Sequence, residues 1–122
     1  MADLSAELAK YGIDYMDAME RMDNEADFYK TLAMKFLNDE HYIDLVAAMD
    51  VKDYDKGYEA AHALKGVAGN LSFVELFKEA AAVSDALYQG EYEAAAKFMP
   101  RLGELNAQVL EGLEKWQNGE LA

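Results

Sequence analysis

Apolar residues recur at steps of three and four positions along almost the whole 122-residue sequence, and a single proline interrupts them. This spacing places the apolar side chains on one face of an α-helix, and no stretch shows the alternation typical of a β-strand. The clearest stretch comes last, with Ala95, Phe98, Leu102, Leu105, Val109, Leu113 and Trp116 as its apolar positions. We therefore predict an all-α fold, an antiparallel four-helix bundle with short additional N-terminal helices.

Capping residues indicate where several of these helices begin. Asp14 is expected to cap a short second helix, Asn24 a longer third one, and Asp53 the helix that follows. Ser72 and Glu75 have the spacing of a capping box, so the next helix is expected to begin at Ser72.

The chain is long enough for one domain with its own core, and two interruptions divide its helices. We expect the domain to cover residues 1–122, with residues 1–23 as an N-terminal helical cap and residues 24–118 as the bundle. Asn38-Asp39 should separate two helical stretches. Pro100 should kink the last helix or mark a restart, because proline removes a backbone donor.

Composition restricts the class of protein. Lysine and arginine number 11 against 24 aspartates and glutamates, which gives a net charge of −13. Nucleic acids and anionic membrane surfaces repel such a chain, so we expect neither as a partner. The absence of cysteine excludes disulfides and thiol chemistry. No stretch approaches the ~20 apolar residues of a membrane span, and we expect a small cytoplasmic monomer.

One predicted helix presents a histidine on its polar side. When residues 57–71 are placed at about 100° per residue, the face opposite His62 is apolar. That face comprises Gly57, Ala60, Leu64, Val67, Ala68 and Leu71. The face that carries His62 also carries Tyr58, Glu59, Lys65, Gly66 and Gly69. We therefore expect an exposed imidazole that another large molecule can reach.

An imidazole exposed in this way can act as a nucleophile. The neutral form of a histidine side chain carries a ring nitrogen that is a good nucleophile. A phosphoryl group on His62 would bring about two negative charges, which Lys65 at i+3 is correctly spaced to offset. Glycine inside a helix costs about 1 kcal/mol relative to alanine. Close approach of a partner surface, or helix termination, would explain Gly66 and Gly69.

A resemblance to a known family extends over almost the whole chain. Residues 61–71, with the sequence AHALKGVAGNL, resemble the signature of histidine-containing phosphotransfer (HPt) domains. Asp53-Tyr54 is similar to the acidic-aromatic pair that often opens the phosphohistidine helix of that family. The stretch Phe36-Leu37-Asn38-Asp39 and the turn Gly90-Glu91-Tyr92 fall where the family places its earlier helix and its last connection.

The resemblance implies roles for individual residues. His62 would be the phosphoacceptor, with Nε2 as the attacking atom, and Lys65 would stabilise the phosphate. Clearance and docking would involve Gly66, Gly69, Tyr58 and Glu59. Two positions depart from the family: Ser72 stands where many members carry glycine, and Ser84 where some carry a glutamine. That glutamine hydrogen-bonds the histidine ring, so Ser84 is the position from which the ring would be oriented.

The resemblance also implies a phosphorelay carrier without a complete catalytic site of its own. His62 would accept a phosphoryl group from a receiver aspartyl phosphate and pass it to another receiver domain. The implied partners are response-regulator receiver domains and a sensor or hybrid histidine kinase. No cofactor is expected on this chain, since Mg²⁺ and its carboxylate ligands would belong to the receiver.

Other interpretations of the histidine stay open. The chain could be a non-phosphorylated adaptor for receiver or kinase domains, or a histidine domain that a chemotaxis-type kinase phosphorylates directly. His62 could also be an ordinary surface histidine. A di-iron bundle would use Glu59 and His62 as an i, i+3 pair. Because Asn38 precedes the other histidine, His41, at that spacing, the second pair is missing and no metal site is expected.

Overall fold

The computed structural model describes residues 3–121, and all regular elements in that range are helices. They are α1 (Leu4–Ala9), α2 (Tyr15–Arg21), α3 (Ala26–Met34), a 3-10 helix (Lys35–Asn38), α4 (His41–Asp50), α5 (Tyr54–Asn70), α6 (Val74–Tyr88) and α7 (Tyr92–Gln117). The predicted all-α class is confirmed. No helix in the described range is apolar over a length sufficient to cross a membrane.

Helices α4 to α7 form the bundle. Helix α5 packs between α4 and α6, and α6 packs between α5 and α7. The connections are residues 51–53, 71–73 and 89–91, which are so short that consecutive helices run antiparallel. Fully buried residues of these helices and their connections include Leu45, Leu64, Phe73, Leu76, Val83, Leu102 and Leu113.

The N-terminal helices cover the end of the bundle at which α5 turns into α6. The backbone N–H of Asp14 donates to the Ser72 carbonyl at 2.9 Å. The buried Tyr29 hydroxyl donates to the Leu71 carbonyl at 2.6 Å. The Tyr29 ring also lies 6.1 Å from the Trp116 ring near the end of α7, measured between ring centroids. The prediction of short N-terminal helices added to a bundle is therefore confirmed.

Two of the predicted helix caps are formed. The Asp14 carboxylate accepts from the backbone N–H of Asp17 at 3.0 Å, at the start of α2. The Asp53 carboxylate accepts from the backbone N–H of Lys56 at 3.2 Å, at the start of α5. The interruption expected at Asn38-Asp39 is present one residue later, since the 3-10 helix ends at Asn38 and α4 begins at His41.

The predicted cap at Asn24 is wrong. Helix α3 begins at Ala26, and Glu25 occupies its N-cap position. Asn24 has a φ of 62°, in the left-handed region that asparagine tolerates better than most residues. Its backbone N–H donates to the Met19 carbonyl at 2.8 Å. Asn24 therefore closes α2 and does not open α3.

The predicted capping box at Ser72 is also wrong. Helix α6 has Phe73 at its N-cap position, without a side-chain capping bond. Ser72 has a φ of 61°, the left-handed conformation that commonly ends a helix, and it follows the last turn of α5. Its hydroxyl donates to the Asp17 carboxylate of α2 at 2.7 Å. Ser72 is thus a junction between α5 and α2.

Pro100 does not divide the last helix. Helix α7 runs from Tyr92 to Gln117 with Pro100 inside it, so the predicted restart is absent. Proline leaves the carbonyl of Ala96, four residues earlier, without its helical donor. Both residues are exposed, so water can satisfy that carbonyl.

The buried Tyr29 hydroxyl supports a stability prediction. Tyr29→Phe should lower the free energy of unfolding near neutral pH by about 1–2 kcal/mol, because the buried Leu71 carbonyl loses its donor. Denaturant unfolding measures the loss, with Tyr15→Phe as the control from the same aromatic cluster. A Tyr29→Phe protein as stable as the wild type would contradict the assignment.

Burial raises the pKa of Tyr29, and Tyr15, Asp14 and Asp17 raise it further. Above about pH 10 the tyrosine ionises in the unfolded chain but not in the folded protein. The contribution that Tyr29 makes to stability is therefore complete below that pH and is lost as the pH rises further. The stability difference between the wild type and Tyr29→Phe should accordingly shrink in alkaline solution.

Candidate functional site

His62 lies in the middle of α5, and its side chain is exposed. The opposite side of α5 faces the core through Gly57, Ala60, Ala61, Leu64 and Ala68. Val67, which the sequence places on the apolar face, is half-buried. Burial of this small-residue face against α4 and α6 fixes the direction in which His62 points. The imidazole therefore stands on a convex surface and not in a cavity.

Two tyrosines extend from His62 toward the end of α6. The Tyr58 ring stacks on the His62 imidazole, with ring centroids 5.7 Å apart and planes inclined by 25°. Tyr58 also lies 5.7 Å from Tyr88, at an angle of 42°. Tyr88 is 77% exposed, which is unusual for so large a ring. Sequence reasoning missed it, because its place beside Tyr58 depends on how α6 packs against α5.

The two glycines beyond His62 have different surroundings. A Cβ atom at Gly66 would meet nothing within 4 Å, so the surface there is open. A Cβ atom at Gly69 would lie 2.9 Å from the Phe77 ring of α6. The close packing of Phe77 therefore explains why position 69 is a glycine. Among the residues that the structure describes, no contact explains why position 66 is one.

Two cationic side chains lie along this part of the surface. Lys65 is half-buried, one turn from His62, and forms no ion pair within residues 3–121. Arg21 of α2 reaches the end of α5, where its guanidinium donates to the Gly69 carbonyl and the Ser72 hydroxyl. Sequence reasoning missed Arg21, because only the fold brings the N-terminal helices to this end of α5.

The two remaining predicted site residues differ in exposure. Glu59 is exposed on α5, like His62. Ser84 of α6 is buried, with 2% of its surface exposed. In the described part of the chain no hydrogen bond joins the Ser84 hydroxyl to the imidazole of His62. The side chain in contact with that ring is Tyr58.

The other histidine has a local structural partner. Nδ1 of His41 lies 2.9 Å from a carboxylate oxygen of Asp39, at the start of α4. Between residues 3 and 121 no group of three or more histidine, cysteine, aspartate or glutamate side chains is placed to hold a metal ion. Within that range Glu59 and His62 belong to no such group.

The family model of the Hpt domain matches residues 36–116, well over half of the chain. The chain belongs to the Hpt domain family. Comparisons with curated proteins and with solved structures gave no match. The matched segment contains the bundle helices α4, α5 and α6 and nearly all of α7. Helices α1, α2 and α3 precede it, so Arg21 lies outside the family's part of the chain.

Membership of the Hpt family establishes a general activity. Hpt domains carry phosphoryl groups on histidine in two-component signalling, and they interact with response-regulator receivers and with kinases. In this Hpt domain the exposed histidine of α5 lies within the matched segment. A convex site of this kind excludes no water by itself, in contrast to the enclosed sites in which enzymes use general bases.

Alanine substitutions at Gly66 and Gly69 should have different effects on stability. Gly66→Ala should raise the free energy of unfolding by about 0.5–1 kcal/mol, since alanine favours a helix and no atom obstructs it. Gly69→Ala should gain less, or lose stability, because the Phe77 ring must move. Thermal and denaturant unfolding measure the difference between the two matched variants. Equal stabilities would contradict the packing role of Gly69.

Proposed function

We propose that this Hpt domain is a phosphorelay carrier. It accepts a phosphoryl group on His62 from the aspartyl phosphate of one receiver domain and passes it to another receiver. The observation that carries the proposal is the exposed imidazole on α5, which lies within the segment that matches the family. The apolar side of that helix is buried in the core, so His62 points away from the core, toward a partner.

The proposed transfer is a displacement at phosphorus. The lone pair of the His62 Nε2 atom attacks, and a nitrogen–phosphorus bond forms. The bond between phosphorus and the aspartate oxygen of the receiver breaks, and the carboxylate leaves with the electron pair. The imidazole keeps its Nδ1 proton during the attack and releases it to solvent afterwards. Transfer to the second receiver reverses these steps with a new aspartate.

The surroundings of His62 fit a carrier better than a complete catalyst. We place Mg²⁺ and its carboxylate ligands on the receiver, so this chain supplies the acceptor atom and the docking surface. Lys65 offsets part of the phosphate charge on a chain whose net charge is already −13. An exposed ion pair contributes only about 0.2–1 kcal/mol, so Lys65 adjusts the transfer and does not create it.

The docking surface is proposed to include the open position at Gly66, where the partner can approach α5 closely. Glu59 and Tyr58 border the histidine on the side of the preceding turn. The proposal also includes a cytoplasmic location and a monomeric carrier, in keeping with the strongly charged surface.

Phosphotransfer from a panel of phosphorylated receivers with Mg²⁺ tests the proposal. The wild type should gain an acid-labile, base-stable label, and His62→Gln should gain none. Label on both proteins would show that the phosphoacceptor is a residue other than His62. Binding without label from any receiver would favour an adaptor, and label only from a kinase with ATP would favour a chemotaxis-type donor.

A longer side chain at Gly66 should block docking without disturbing the fold. Gly66→Gln should slow phosphotransfer at least about tenfold, because misplacing reacting groups by ~1 Å costs on the order of 100-fold. Ala107→Gln is the matched control, since it adds the same side chain at an exposed position of α7. Single-turnover rates measure the effect. A Gly66→Gln protein that transfers as fast as the control would place the docking surface elsewhere.

A further inference from the structure

We propose that Tyr58, supported by Tyr88, is the positioning residue that holds the His62 imidazole ready for transfer. This inference rests on the proposed function and adds a device that orients the acceptor ring. Its basis is the continuous aromatic contact from Tyr88 through Tyr58 to His62.

An exposed histidine on a helix needs such a device. Its first side-chain torsion has two common rotamers in a helix, and its second is broad. Ser84 is buried, and no hydrogen bond to the His62 ring occurs among residues 3–121. Without another restraint the imidazole would present Nε2 in the productive direction for only part of the time.

Helix geometry directs His62 onto Tyr58. Side chains on an α-helix lean toward its N-terminus, so a residue covers the turn that precedes it. Tyr58 is four residues before His62, and side chains at this spacing are neighbours on the helix surface. The observed ring separation of 5.7 Å and inclination of 25° are those of a stacked pair.

Tyr58 is itself restrained, which makes it a firm support. It is half-buried and packs against the hydrophobic core. Tyr88 of α6 adds a further contact, with its ring centroid 5.7 Å from that of Tyr58, so a neighbouring helix also supports the Tyr58 ring. The support for the acceptor histidine therefore comes from two helices.

Stacking can orient an acceptor histidine without occupying either ring nitrogen. A hydrogen bond to the imidazole occupies one of its two ring nitrogens. An offset-stacked tyrosine lies against the face of the ring, while the lone pair of a ring nitrogen lies in the ring plane and points outward. Tyr58 can therefore orient His62 and leave both nitrogens free for the attack and for the proton that the ring retains.

Substitutions that keep or remove the aromatic ring test this role. Tyr58→Phe keeps the ring, whereas Tyr58→Leu keeps apolar volume and removes the stack. Tyr54→Leu is the matched control, because Tyr54 lies on the same helix and stacks on Tyr92 with centroids 3.8 Å apart. Tyr88→Leu removes only the outer support, at a position exposed enough to leave the fold intact.

Two measurements are made on each variant. NMR three-bond couplings report the rotamer population of His62, and single-turnover assays report the phosphotransfer rate. The wild type, Tyr58→Phe and Tyr54→Leu should share one dominant rotamer and similar rates. Tyr58→Leu should show an averaged rotamer and a rate about three- to tenfold lower, with Tyr88→Leu between them.

The outcomes separate this inference from the proposed function. An unchanged rotamer in Tyr58→Leu overturns the positioning role, even if the rate falls, because Tyr58 would then act only by contacting the partner. Loss of the dominant rotamer in Tyr58→Leu but not in Tyr58→Phe supports it. If the wild type takes no label from any donor, the proposed function fails, and the rotamer measurement still decides whether Tyr58 orients His62.

Discussion

The apolar side of α5, buried between α4 and α6, is the constraint on which the site depends. Small residues such as Gly57, Ala60 and Ala61 form much of that side, so the neighbouring helices can approach closely. Once this face is buried, the opposite face must meet solvent, and His62 is on it. The exposure of the histidine is thus a consequence of core packing. It needs no local loop, cofactor or cavity.

The turn after α5 holds the N-terminal helices in place. Ser72 adopts a left-handed conformation there, at a position where many HPt domains carry the more permissive glycine. A serine at this position brings a hydroxyl that pairs with Asp17, and the carbonyls of the same turn accept from Asp14 and Tyr29. The strain of a left-handed serine is offset by contacts that a glycine could only partly provide. These contacts join α2 and α3 to the bundle.

Sequence reasoning succeeded where local chemistry decides the structure. The caps at Asp14 and Asp53 depend on a carboxylate and a backbone N–H a few residues away, and both are formed. At Ser72 it failed because a distant element competes for the same group. Ser72 has the spacing of a capping box, yet its hydroxyl is drawn to α2. Asn24 closes one helix instead of opening the next. Of the two alternatives at Pro100, a kink or a restart, the restart is absent, since the long helix continues through this residue.

The sequence by itself determined the all-α class, the helix that carries the histidine and the outward direction of His62, because helical periodicity fixes which residues share a face. Only the tertiary structure decided what surrounds that face. It placed Tyr88 beside Tyr58, packed Phe77 over Gly69, and brought Arg21 to the end of α5. The physical reason is that these contacts join different helices, and helix packing sets them at distances that no spacing along the chain encodes.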